Sequence, residues 1–174
     1  MIAPSPERND QEREDLIAML ASQRELFRFT VRGIEDDQAR QRTTVSELTL
    51  GGLLHHIVKS ERHWTTVVVE RDENAKVDVS QLNSEYRMGP EETVAGLLEE
   101  WDAVAENTAR VIRTVDSLDT SIPTPTAPWR PERVWWTVRF TLLHLFREIS
   151  HHSGHADIIR ESLDGANTSY QRAS

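Results

Sequence analysis

Arg147-Glu148-Ile149-Ser150-His151-His152-Ser153-Gly154-His155 sets one carboxylate and three imidazoles within nine residues of a helix-compatible run. Glu148 and His152 stand four apart, so on a helix they rise from one face on successive turns. Such a pair can converge on a divalent cation, which takes an ionised carboxylate and a neutral imidazole as ligands. The competing reading is a surface helix that is merely rich in histidine. A helical wheel at about 100° per residue sorts the candidates. Leu142, Leu145, Phe146, Ile149, Ala156, Ile159 and Leu163 mark its apolar arc. His152 falls roughly 40° from the centre of that arc, Glu148 about 80° and His155 about 100°. His144 and His151 fall further round, toward solvent. Glu148 and His152 are therefore the expected inward pair, and a buried carboxylate requires a cation or a proton beside it.

Moving outward, Thr137 is placed to cap this last helix and Gly165 to end it. Earlier in the chain, Leu16, Ile17, Met19, Leu20, Leu26, Phe27 and Phe29 follow helical spacing up to about Val31, with Ser5-Pro6-Glu7 as the start and Gly33 as the stop. Asp36 to Arg40 reads as a single helical turn. Thr49 heads a second long pattern that runs to about Val69. Residues 71 to 89 are polar and irregular, with a short apolar alternation at Val77 and Val79. Gly89-Pro90-Glu91-Glu92 reads as the start of a third long helix, with proline at its first position; the pattern fades by Ser117. Pro123, Pro125 and Pro128 interrupt the stretch before the last helix. The pattern predicts an all-α fold, an antiparallel four-helix bundle with helices of roughly 20 to 27 residues. Alternations of strand type are too few to build a sheet.

The second helix offers the third ligand. Leu53, Leu54, Ile57, Trp64 and Val68 form its apolar arc. His56 borders that arc, while His55 lies nearly opposite, beside Lys59 and Arg62. A single histidine beside an apolar face is more often a hydrogen-bonded core residue than a ligand. His56, Glu148 and His152 together make the metal reading and the structural reading equally open. His63, His144 and His151 read as surface or structural residues. Trp64, Trp101, Trp135 and Trp136 read as core or interface anchors, and Trp129 as packing or the lip of a pocket.

Composition narrows the function classes. The chain has 174 residues, enough for one domain with a real core, and residues 1–9 and 168–174 read as flexible tails. A formal charge of −9 offers no basic face for nucleic acid. There is no cysteine, which excludes disulfides, a thiolate nucleophile and a cysteine-type zinc site. No apolar run approaches the roughly 20 residues of a membrane span, and no signal-peptide core is present, so the expected location is cytoplasmic. There is no phosphate loop, no Gly-rich dinucleotide turn and no His-Glu-x-x-His. A di-iron bundle needs Glu-x-x-His on two helices, and only Glu148-Ile149-Ser150-His151 has it, which favours one metal. Adjacent Trp135 and Trp136 cannot both face one core, so a homodimer is expected.

Two blocks resemble a known family. Thr49-Leu50-Gly51-Gly52-Leu53-Leu54-His55-His56-Ile57-Val58-Lys59-Ser60-Glu61-Arg62-His63-Trp64 is similar to the second-helix signature of the DinB/YfiT-like superfamily. Leu143 to Glu161, with the Glu148/His152 pair and Gly154 inside it, is similar to the last-helix signature. The nearest branch is the actinobacterial one that includes mycothiol-dependent transferases and isomerases. The resemblance runs from about residue 12 to 167. It implies a four-helix bundle holding a divalent metal, with His56 as the second-helix ligand and Glu148 and His152 as the last-helix pair. Glu148 replaces the commoner histidine, a feature similar to the isomerase relatives. His155 stands where many members have glutamine; it is a further ligand candidate, a replacement for Glu148, or a partner orienting a bound water. The resemblance further implies zinc or nickel as the metal, a low-molecular-weight thiol as co-substrate and a small electrophile as acceptor. Arg139 and Arg87 are the candidate cations for the thiol's polar groups. The rival class is a non-catalytic metal- or ligand-binding stress-response bundle.

Overall fold

The computed structural model describes residues 6–81 and 84–172. Four long helices dominate it: α1 (Pro6–Thr30), α3 (Leu50–Glu70), α4 (Val94–Thr114) and α5 (Val138–Asp164). Two short α-helices, α2 (Asp36–Ala39) and α6 (Thr168–Arg172), and a 3-10 turn at Val79–Gln81 are also found among the described residues. Ser5, the expected cap of α1, lies outside the described residues. After α1, Gly33 adopts φ +67°, a left-handed turn that suits glycine. At α3 the Thr49 side chain accepts from the Gly52 backbone N–H. At α5 the Thr137 side chain accepts from Phe140, and Gly165 closes the helix at φ +80°.

The start of α4 differs from the sequence reading. Pro90 does not occupy its first turn; the helix begins at Val94, with Thr93 accepting from the Gly96 N–H. Glu92 explains the shift. Its carboxylate accepts from the Gly89 backbone N–H at 2.7 Å and faces His55, which holds residues 89–92 in a tight turn outside the helix.

The helices pack α1 against α5 and α4, and α3 against α4 and α5. Leu20, Phe27, Leu53, Leu54, Ile57, Trp101, Leu145 and Ile149 fill the centre and are almost fully buried. Burial of each such side chain contributes about 1.5–3 kcal/mol. Phe27 meets Trp101 edge to face at 5.7 Å. Within this core lies a carboxylate. Glu61 is 0% exposed and accepts from Arg24 at 2.6 and 3.0 Å, from Trp101 Nε1 at 2.8 Å and from the Thr108 hydroxyl at 2.7 Å. The network ties α1, α3 and α4 together. Arg160 reaches back from α5 to the carbonyls of Thr30 and Arg32, and Arg13 reaches from α1 to Ile112 and Val115 at the end of α4. Each thus places a cation on the orphan carbonyls that end a neighbouring helix.

The proline-interrupted stretch holds a small antiparallel hairpin absent from the sequence reading: β1 (Ser121–Pro123) pairs with β2 (Trp135–Thr137). Strands of three residues are too short to show alternation. The α3–α4 connector, residues 71–93, is stitched to this hairpin loop, with Val77 N–H donating to Thr126 O and Thr126 N–H to Ala75 O. Its far end lies flush on the first turn of α3. A Cβ on Gly52 would collide with the Tyr86 carbonyl, and one on Gly51 with the Met88 sulfur. Two glycines at the head of α3 therefore set how closely the connector approaches His56.

Candidate metal centre

α3 presents His56 and α5 presents Glu148 and His152 across their shared interface, and ligand atoms of the three lie within 4.8 Å of one another. His152 Nε2 stands 3.7 Å from Glu148 Oε2. The His56 and His152 rings meet nearly at right angles, with centroids 4.8 Å apart. Both imidazoles are buried, while the Glu148 side chain keeps 23% of its exposure and marks the open side. Helical spacing on two antiparallel elements produces this convergence: one turn separates Glu148 from His152, and His56 fills the gap from the facing helix.

Burial governs the electrostatics. It pushes the His56 imidazole down to about 4, helped by neighbouring His152 and opposed by Glu148. Burial also lowers His152, again against the pull of Glu148. Near neutral pH both rings are therefore uncharged and carry a free lone pair. Both ring nitrogens of His56 are buried and lack a hydrogen-bond partner. Leaving such groups unsatisfied costs about 1–3 kcal/mol each. Two neutral imidazoles and one carboxylate are the donor set of a three-ligand divalent site that keeps a coordination position open. The residues fit a cation.

The other sequence candidates fall around this cluster. His155 lies behind His152, with its Nδ1 3.4 Å from His152 Nδ1 and thus on the side away from Glu148. His55 turns from the cluster to Glu92 at 2.7 Å, and His151 is exposed. Arg139 is occupied by Glu12 at 2.6 Å and by Asp119; it precedes Glu148 by nine residues, about 13 Å along the helix. Arg87 is exposed and follows Tyr86 in the connector.

His144 departs from its expected place toward solvent. Only 11% of its side chain is exposed, because Trp64 and Trp136 stack at 4.9 Å and each meets the His144 ring edge-on. The wheel of α5 counted that face as outward, yet the hairpin brings Trp136 over it. His144 Nδ1 lies 3.4 Å from Glu148 Oε1, and Arg147 donates to His144 at 2.6 Å and to Glu148 at 3.3 Å.

The sequence reading named Arg87 in the connector but missed Glu85 and Tyr86 beside it. Tyr86 stacks on His56 at 4.1 Å, with planes 21° apart, and Glu85 Oε1 comes within 3.7 Å of His56 Nδ1. Burial and the nearby acids raise both groups, so Tyr86 keeps its hydroxyl proton. No periodicity marks residues in an irregular loop; the adjacent Gly51-Gly52 was the available sign that backbone packs there.

Comparison with known proteins adds to this geometry. Searches of curated proteins and of solved structures gave no match. A family model described as mycothiol-S-transferase matches residues 15–165, a span that takes in all four long helices and the three clustered residues. The chain belongs to the mycothiol-S-transferase family, and membership implies a transferase enzyme.

Proposed function

We propose that the protein holds one divalent cation, zinc or nickel, on His56, Glu148 and His152, and transfers the thiol of mycothiol to a small electrophile. The observation that carries this reading is the convergence of two neutral imidazoles and a carboxylate within 4.8 Å inside a chain of this family. When bound, the cation supplies a Lewis-acidic position that favours thiolate over thiol near neutral pH. The chain contains no cysteine, so the reacting sulfur comes from the co-substrate and no mixed disulfide with the protein competes.

The protein's own residues hold the geometry. His56 and His152 keep their lone pairs because burial disfavours protonation. Glu148 is braced by Arg147 on its open side. His155 acts behind His152 as an orienting partner, opposite the edge that faces Glu148. Arg87, exposed beside Tyr86, is better placed to meet the co-substrate than Arg139, which two carboxylates already engage. In the overall reaction the sulfur forms a bond to the electrophilic carbon. The leaving group departs with its electron pair, and the thiol proton passes to it or to water.

The test follows consumption of mycothiol with a bimane electrophile, using protein with and without added zinc or nickel. Metal-dependent turnover in the parent and none in His152→Ala supports the proposal. Stoichiometric metal binding without any thiol consumption would move the protein to the non-catalytic class.

A further inference from the structure

A histidine that gives one ring nitrogen to a cation must place the proton of the other nitrogen on an acceptor, and that acceptor fixes both the tautomer and the ring orientation. His56 sits in a setting built for this. Tyr86 lies flat on its ring at 4.1 Å and restrains the plane. Both of its nitrogens are buried and unpartnered. Glu85 Oε1 stands 3.7 Å from Nδ1, and the Glu85 side chain is 43% exposed, so its carboxylate can swing. That oxygen is within about 0.7 Å of hydrogen-bond length. The connector backbone itself is fixed close by, since the Tyr86 carbonyl occupies the space that a Gly52 side chain would fill.

We propose that Glu85 is a positioning residue: its carboxylate accepts the Nδ1 proton of His56 and leaves the Nε2 lone pair to face Glu148 and His152. Glu85 acts through His56 and is outside the set of three groups that converge on the centre. The consequence for metal affinity rests on the metal reading above, whereas the tautomer of His56 can be observed without metal.

The experiment therefore has two arms on the full chain, with folding of each variant checked by circular dichroism. Long-range proton–nitrogen spectra of the metal-free protein near neutral pH report the His56 tautomer, its signals assigned by their loss in His56→Ala. The expected pattern is Nδ1–H in the parent and in Glu85→Gln, whose amide oxygen still accepts, and a shift toward Nε2–H in Glu85→Ala. Zinc competition titrations form the second arm. Glu85→Ala should bind about 10–100-fold more weakly, with recovery in Glu85→Gln. An unchanged tautomer together with unchanged affinity in Glu85→Ala overturns the proposal. So does an equal loss in both variants, which would make the charge and not the acceptor decisive. Unaltered zinc binding by His56→Ala would instead refute the metal reading, and the spectra would still judge Glu85.

Discussion

His56 is a polar side chain placed where only a partner or a cation makes its burial tolerable, and that sets its response to acid. Its ring titrates at about 4 in the folded chain, against roughly 6.5 when exposed. The unfolded chain therefore takes up this proton first. Stability of the metal-free protein owed to neutral His56 is complete above about pH 6.5 and is lost as pH falls toward 4. His152 is lowered in the same direction. Urea midpoints of the metal-free parent should fall across that window, and His56→Ala should fall less steeply; equal slopes would show that His56 is not protonated on unfolding. At this scale the wheel separated His56 from His55 and paired Glu148 with His152, because both distinctions are local to one helix. Glu85, Tyr86 and the burial of His144 were not legible. They depend on where a loop and a hairpin land, which helical periodicity does not encode.

Elements explain why the ligands stay in register. Glu61 joins α1, α3 and α4 from inside the core, and removing it leaves Arg24 buried and unpaired. Glu61→Ala should lose about 3–5 kcal/mol of unfolding free energy in urea. A loss below 1 kcal/mol, on the order of an exposed pair, would show that water replaces the carboxylate freely. Gly52 controls a different contact. Gly52→Ala places a methyl group against the Tyr86 carbonyl, which cannot turn away as a side chain would. The variant should fold yet bind zinc more weakly, since Glu85 and Tyr86 move with that backbone; parental affinity in a competition titration would argue that the connector is irrelevant to the site. The caps at Thr137 and Gly165 were readable because each acts within four residues. The start of α4 was misjudged because Glu92 bonds outside its helix, to Gly89 and to His55. Glu61 was hidden for the same reason: its partners lie 37 to 47 residues away.

Across the whole molecule, a cation bound between α3 and α5 links two helices that otherwise meet through apolar contacts, so occupancy should stabilise the fold. Saturation at 100 times the dissociation constant adds about 2.7 kcal/mol. Zinc should raise the thermal midpoint by roughly 5–10 °C for a chain of this size, and a chelator should reverse the gain. A bundle of four long helices was legible from four amphipathic runs, whereas the parallel course of α3 beside α4, seen in the pairs His55–Glu92, Lys59–Glu100 and Thr65–Thr108, was not, because it depends on the path of the connector. Among the described residues no helix is long and apolar enough to cross a membrane. The central claim, that His56, Glu148 and His152 form one metal site, is tested most directly by metal content per chain after dialysis. The parent and His55→Ala should each retain one equivalent of zinc or nickel, while His56→Ala and His152→Ala retain none. Loss of metal in His55→Ala with retention in His56→Ala, or a parent that retains no metal at all, would contradict the account.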